Sequence, residues 1–475
     1  MRKELKPYAD EAFGIVETAA NDIGSRLPGS EGEKKFADFM AGKLESIGVK
    51  PVKEKFLVSP RASIGGIPYA GWVGIICAVM MYFEQLYGLV FFLCLATWVW
   101  LICSVFLYKT WFDAAFHQEV SQNVYGEILP PDGKYDYTVI LSAHTDTSWN
   151  WKHSSLAAKS PVPVFIKMGI GIFAFLFLTV TSLAMFIIYC KYVYATPTDL
   201  TQGEYITMME TLSNVANFKI ALYVLLAVFV IPGCFLVTLW ADKNPRTASP
   251  GAMDNATGIG IAFAAAKYYK ENPDKMPKGC RIIDFNCGSE EAGLRGSIAF
   301  TRKHKGEAIL ENCYNINIDS VADKDYFEVV HGDTWQFTKF DKDLETIMLD
   351  AMKEAGIDKP GNIVNPVGGC DSTPMTKAGV KSITFAAQNP VLTQYYHTFY
   401  DVAERFDVDT VHLGLDVVLR AVDKIGELEN FKRGIKAEKA AESKSEVAPV
   451  ETATADSAAK EEKVYLEAEI ESDEE

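Results

Sequence analysis

Residues 62–108 contain a single charged side chain, Glu84, and residues 168–190 and 220–240 contain none. A helix on the surface of a soluble protein keeps a polar stripe toward water, so stretches this long and this apolar limit the chain to folds that bury them in lipid. About 20 apolar residues cross a bilayer core. The pattern predicts four transmembrane helices in two hairpins, at residues 67–83, 86–108, 168–190 and 220–240. Each hairpin returns the chain to the side it left, so 1–60, 109–165 and 241–475 share one aqueous compartment. Lys53, Lys55, Arg61, Lys109, Lys159, Lys167, Lys243 and Arg246 lie near the membrane on that shared side, against Lys191 and Lys219 on the other. Positive loops mark the cytoplasmic face, so the expectation is a multi-pass protein of the cell membrane with its soluble part in the cytoplasm. The opening MRKELKPYADEAFG carries no apolar run of the kind a cleavable signal needs. Nine scattered cysteines without CxxC spacing suit a reducing compartment.

The soluble remainder alternates strand and helix signals. Extended runs are VKPVKEKFLV, NVYGEIL, YTVILSAH, CRIIDFNC, NINID and SITFAA; helical stretches include GIGIAFAAAKYYKEN and LETIMLDAMKEAG. Ser30 with Glu33 three residues on reads as a capping box, followed by apolar residues at helical spacing through Phe36, Met40, Leu44 and Ile47. This rhythm predicts an α/β domain: a mixed, largely parallel sheet sandwiched by helices. Its pieces are 1–60, 111–163 and 243–434, interrupted by hairpins at 61–110 and 164–242. The net charge of −16 is uneven, with 13 acidic against 5 basic residues from 436 to 475. Half of the excess negative charge therefore sits in an extension, 435–475, that reads as disordered. Such a charge argues against a nucleic-acid partner.

In open α/β sheets, ligands bind beyond the carboxyl ends of the strands. His144 and Asp146 follow one apolar run, Glu290 and Glu291 another, and Asp319 a third. Acids and an imidazole meeting there would repel or go unsolvated unless a cation lay between them, and both are ordinary zinc ligands. Asp254 in PGAMDNATG and His397 in YYHTFYDVAERFD complete the set.

Taken in order, HTD, PGAMDNATG, GSEEAGLRGS, NIDS and YYHTF resemble the co-catalytic di-zinc aminopeptidase family, the group of bacterial leucyl aminopeptidases and glutamate carboxypeptidases. The similarity runs from SRLPGSEG at 25–32 to near Glu404 and includes GGCDSTPMTKAGV at 368–380. It implies the zinc-exopeptidase fold, of the phosphorylase/hydrolase-like kind, and two zinc ions. By motif, Asp254 would bridge them, with His144 and Asp319 on one and Glu291 and His397 on the other. Glu290 would be the general base, and Asp146 would accept from the second nitrogen of His144 and fix its tautomer. The implied reaction is hydrolysis of N-terminal peptide bonds, with a peptide as substrate.

Alternatives from the same fold are a carboxypeptidase, a dipeptidase or another amide hydrolase. A catalytically silent membrane receptor or scaffold would have lost ligands, and none of the five is missing. A transporter would carry more intramembrane charge than Glu84. The sequence departs from the family in the 107 residues between Asp146 and Asp254, most of them the second hairpin, which places the active-site side close to the bilayer. Only 77 residues separate Asp319 from His397, too few for the lid domain of a related carboxypeptidase group. Retention of the HxD pair favours hydrolysis over the one-zinc glutaminyl cyclase branch. Other residues read as structural: Asp371 as a cap or loop residue, His117 as interfacial, His153, His304, His331 and His412 as core or surface, and Trp149 and Trp151 as membrane-belt aromatics, with substrate contact as their alternative. In isolation Asp254 reads as the N-cap of the helix that follows it. The glycosylation sequon at Asn255 is expected to be silent.

Overall fold

The structure, a computed structural model, describes residues 1–156, 162–193, 201–242, 244–389 and 394–446. It divides into two units, Met1–Gly426 and Glu427–Glu475. In the second, the described residues 427–446 continue the helix Val408–Glu446. Helix therefore occupies the beginning of the segment expected to be disordered, where alanine, glutamate and lysine are all good helix formers; residues 447–475 lie outside the described residues.

Nine strands form one sheet among the described residues: β1 Val52–Val58, β2 Glu119–Ile128, β3 Tyr137–His144, β4 Cys280–Cys287, β5 Cys313–Val321, β6 Phe327–Asp333, β7 Thr338–Lys339, β8 Gly361–Asn365 and β9 Lys381–Ala387. Their order is β1-β2-β4-β3-β5-β9-β6-β7, with β8 against β6. The four central strands, β4-β3-β5-β9, are mutually parallel. Outside them β2 runs antiparallel to β4, and β6 antiparallel to β9. The sheet is thus mixed, with the parallel character confined to strands joined by helical crossovers. β3 and β4 are buried at every position, as strands covered on both faces must be. Alternation sends Val139, Leu141 and Ala143 into a core shared with the helices Lys6–Glu17, Glu31–Ser46, Gly258–Glu271 and Lys342–Glu354. Ile140 points the other way, to Phe300 of helix Arg295–Lys303 and Met375 of helix Ser372–Lys377.

Both apolar insertions begin and end in this sheet. β1 precedes the first and pairs with β2 after it, Val58 opposite Glu119; β3 precedes the second and pairs with β4 after it. Among the described residues, three helical runs are long and apolar enough to cross a membrane: Glu84–Phe106, Val162–Lys191 and Ala216–Thr238. The first expected span is shorter, an apolar helix over Ile64–Met80, about 25 Å at ~1.5 Å per residue. Helix also extends well beyond the fourth expected span, from Gln202 to Thr238, with a wide turn at Leu226–Val230 just before Pro232, whose ring cannot join a regular helical ladder. The two insertions pack on each other through small residues. A Cβ on Gly71 would come within 2.7 Å of the Cys234 carbonyl, and one on Gly74 within 2.6 Å of Cys234 Sγ, the close approach by which helices associate in lipid. Glu84 lies at the far end of its helix and forms an ion pair with Lys219 at 2.5 Å.

Candidate metal centre

The carboxyl ends of β4, β3 and β5 lie side by side, and the expected residues meet there. His144 Nε2 stands 3.0 Å from Asp254 Oδ1 and 3.9 Å from Asp319 Oδ1. His397 Nε2 stands 2.9 Å from Asp254 Oδ2 and 3.0 Å from Glu291 Oε1. These make two ligand groups, His144–Asp254–Asp319 and Asp254–Glu291–His397, each with its ligand atoms within 4.8 Å of one another. Asp254 belongs to both and offers one oxygen to each. Apart from half-buried Asp319, all five are buried.

Asp254 is not a helix cap. The helix Gly258–Glu271 is capped from Asn255, whose Oδ1 accepts from Gly258 N, while its Nδ2 donates to the Ile318 carbonyl of β5. That engagement, with complete burial, leaves the sequon amide unavailable for modification. Two glycines make the loop possible. Gly251 has φ +65°, and a Cβ on it would lie 2.1 Å from Thr147 Cγ2; a Cβ on Gly258 would lie 2.3 Å from the Ile318 carbonyl. Asp401, which sequence reasoning passed over, holds the loop from the other side: its carboxylate accepts from Met253 N at 2.7 Å and Asp254 N at 3.1 Å. Arg26, fully buried, donates to the carbonyls of Thr145, Pro250 and Gly251, joining the His144 and Asp254 loops. Its only sequence signal is its place in SRLPGSEG.

Asp146 does more than the motif implied. His144 Nδ1 is 3.2 Å from its carbonyl oxygen and 3.4 Å from its Oδ1, while its two carboxylate oxygens accept from Glu290 N at 2.9 Å and Glu291 N at 3.0 Å. One side chain thus sets both an imidazole and the two glutamates. The capping box is half formed. Ser30 Oγ accepts from Glu33 N, but the Glu33 carboxylate turns to Gly29 N and to Ser289 N and Oγ, because the buried turn before Glu290 needs an acceptor more than a solvated helix end does. Ser289, Leu294, Ser320 and His397 all have positive φ, a conformation non-glycine residues hold only where surrounding contacts enforce it.

The electrostatics show what these residues lack. Burial raises the Glu290 carboxyl well above its ordinary range, with the neighbouring carboxylates of Glu291, Asp371 and Asp319 adding to the rise; burial likewise raises Asp319 to about 7. Burial opposes ionisation of Asp254 too, but the imidazoles of His144 and His397 hold it low. Burial also disfavours a charged His397, yet Glu291 and Asp254 outweigh it and push the group up to about 10. In effect, protons on two imidazoles stand in for positive charge the cluster requires. The donor set suits divalent cations: Glu291 Oε1 is buried and accepts no hydrogen bond, and both groups are made of carboxylate and imidazole donors.

The remaining candidates fall elsewhere. Asp371 is structural, accepting from Cys287 Sγ at 2.8 Å and from Ser297 Oγ. His153, His304, His331 and His412 bond to Leu236, to Glu54 and Glu307, to Asn362 and to Arg2, and His117 is exposed beside Glu119. Trp149 and Trp151 are not belt aromatics. Trp149 is buried under the Arg61 guanidinium, 4.9 Å from the ring. Trp151 sets its ring 4.4 Å from that of His397 and 5.7 Å from Trp240, at the end of the second insertion; its backbone N donates to the His397 carbonyl. The first insertion reaches the site as well. Tyr108 is buried, with its ring against Gly293 and Gly369, and Arg295 binds the Tyr108 carbonyl and Asp113 Oδ1.

A parallel-centred α/β sheet with paired acid–imidazole clusters at its strand ends defines a metal-dependent hydrolase. Residues 238–422 match the model of peptidase family M28. The chain carries a domain of that family and is a zinc-dependent metallopeptidase, as its motifs suggest. The matched span holds Asp254, Glu290, Glu291, Asp319 and His397; His144 and Asp146 lie before it, across the second insertion. A zinc aminopeptidase from Bacillus subtilis shares the fold, with TM-score 0.50 and 15% identity over 88% of this chain and 95% of that one. A leucine aminopeptidase precursor (TM-score 0.46, 15% identity, 87% and 96% covered) and a glutaminyl cyclase bound to N-acetylhistamine (0.48, 14%, 87% and 97%), both from Bacteroides thetaiotaomicron, are also similar. No curated protein sequence matches the chain.

Proposed function

We propose that this chain is a membrane-anchored di-zinc aminopeptidase whose peptidase domain, assembled from 1–60, 111–163 and 243–434, faces the cytoplasm. The observation that carries the reading is Asp254, with one carboxylate oxygen 3.0 Å from His144 Nε2 and the other 2.9 Å from His397 Nε2. His144 and Asp319 would hold one ion with Asp254, and Glu291 and His397 the other. Bound zinc would supply Lewis acidity toward the scissile carbonyl and a water acidic enough to ionise near neutral pH.

The chain's own groups supply the rest. Glu290 is partly accessible and its backbone is fixed by Asp146. Its carboxylate takes a proton from the attacking water as the oxygen–carbon bond forms, then returns that proton to the leaving nitrogen as the carbon–nitrogen bond breaks. Asp146 keeps His144 oriented, and Asp401 keeps Asp254 in place. Trp151 and Tyr396 flank His397, with Tyr396 stacked 3.8 Å from it, and help exclude bulk water.

Membrane anchoring is supported by the three long apolar helices. Because β1 pairs with β2 across the first insertion, both its ends lie on one side of the bilayer. The short Ile64–Met80 helix must therefore span together with Glu84–Phe106, through locally thinned lipid. The cytoplasmic assignment rests on the lysine and arginine asymmetry.

The test is turnover of the purified full-length protein on amino-acid amides, free peptides and N-blocked peptides. Cleavage of substrates with a free amino terminus, abolished by chelation and restored by zinc, is expected. Cleavage of blocked but not free peptides would overturn the aminopeptidase assignment.

A further inference from the structure

The turn between β6 and β7 carries the most exposed large apolar side chain among the described residues, Phe337, at 88%. Its φ is +49°, so the ring is displayed from a constrained turn, closed by Phe337 N to the Thr334 carbonyl. The same turn is tied to the first insertion. The rings of Trp335 and Phe106 are 4.4 Å apart, and Gln336 Nε2 donates to the Phe106 carbonyl at 2.5 Å. Phe106 is the last residue of the apolar run Glu84–Phe106. Thr334 N donates to the Asn365 carbonyl, which brings Val364 and Val367, 44% and 37% exposed, beside the turn.

The charge nearest the turn is positive, while Glu345 and Glu328 meet Asn362 and Gly361 at the other end of β8. Residues 360–370 contain no charged side chain. Asp333, at the base of the turn, is buried and occupied by Cys370 N and Thr373 Oγ1. At the rim, Lys339 is exposed, and Lys377 Nζ donates to Gln336 Oε1 at 3.1 Å. An aromatic and aliphatic surface edged with lysines, continuous with the end of a span, has the chemistry of a bilayer interface: rings settle at the headgroup level and lysines face anionic lipid.

We propose that Trp335, Phe337, Val364 and Val367 form a peripheral anchor that seats in the interfacial layer of the same bilayer the Glu84–Phe106 helix enters. The proposal rests on reading the apolar helices as membrane spans. It has a consequence for the metal centre, because Gly368 and Gly369 follow Val367 directly and pack against Tyr108. Seating this edge in lipid would therefore hold the segment that backs one wall of the site.

Nitroxide labels at Phe337→Cys and Phe92→Cys, each in a Cys190→Ser background, test it in full-length protein reconstituted into nanodiscs containing phosphatidylserine. Phe92 is 59% exposed on the Glu84–Phe106 run and reports whether that run is in lipid. The expected result is that both labels collide more with dissolved oxygen than with a water-soluble nickel chelate, and that Phe337→Glu leaves the Phe92 label unchanged. A chelate-accessible label at 337 with a lipid-shielded label at 92 would overturn the anchor alone. Chelate access at both positions would overturn the membrane reading and the anchor with it.

Discussion

The strand-end centre and the apolar insertions bury opposite chemistries. The centre gathers five ionisable candidate ligands, four of them buried, where they are stable only around positive charge. The paired insertions bury cysteines, methionines and aromatics such as Cys77, Cys94, Met185 and Tyr87 and hold together by close packing of small residues. The difference teaches where each depends on the other. The centre needs exact side-chain placement, and the two insertions reach it through a few contacts among the described residues: Tyr108 of the first, held by Arg295 and packed on Gly293 and Gly369, and Trp240 of the second, packed on Trp151.

Breaking the chemistry alone should give the largest effect. Glu290→Gln keeps shape and removes the base, so kcat should fall by about 10² to 10⁴-fold with metal content unchanged; metal loss on this substitution would instead make Glu290 a ligand. Breaking the joint between the regions comes next. Arg295→Met leaves Asp113 and the Tyr108 carbonyl without their partner, at a cost of about 3 kcal/mol, read as a lower midpoint in thermal unfolding. An unchanged midpoint would show that the first insertion is not held through this contact.

Asp401→Asn sharpens the comparison within the centre. Without a full carboxylate behind the Asp254 backbone, zinc affinity should drop by about 10 to 100-fold, measured by competition with a chelator; unaltered affinity would demote Asp401 to packing. The most gradual effect belongs to Asp284, a buried carboxylate in β4 whose hydrogen bond comes from Asn286. Burial raises it to about 8, against about 3.9 in an unfolded chain. The stability it contributes is full below about pH 4 and is lost as pH rises to about 8. Asp284→Asn cannot ionise, so the variant should gain on wild type across that window, by up to about 1.4 kcal/mol per pH unit. Parallel stability profiles for the two proteins would show that Asp284 is not the source of the slope.

Both regions were legible in the sequence, for different reasons. The insertions announce themselves by composition, since lipid tolerates almost no charge; only the lengths shifted, with helix Ile67–Met80 shorter than its apolar stretch and Gln202–Thr238 longer. His144, Glu291 and Asp319 are legible because each ends or follows an apolar strand, and Asp254 and His397 because the order of all five motifs resembles a known family. Strands β7 and β8 were not, being short or exposed, nor was β6, which lacks clean alternation. Nor were Arg26, Asp401 and the inward turn of Glu33. These act through hydrogen bonds to groups far away in sequence, and nothing local distinguishes such a side chain from one in water. Trp151 was misread for the same reason: its neighbour His397 lies 246 residues on.

The central claim is that one carboxylate joins two ions, and counting zinc tests it most directly. Metal analysis of the purified full-length protein should give two zinc ions per chain, and Asp254→Ala should lose both together with all turnover while its unfolding remains cooperative. One ion per chain in the wild type, or an Asp254→Ala protein that keeps its zinc and its activity, would contradict it.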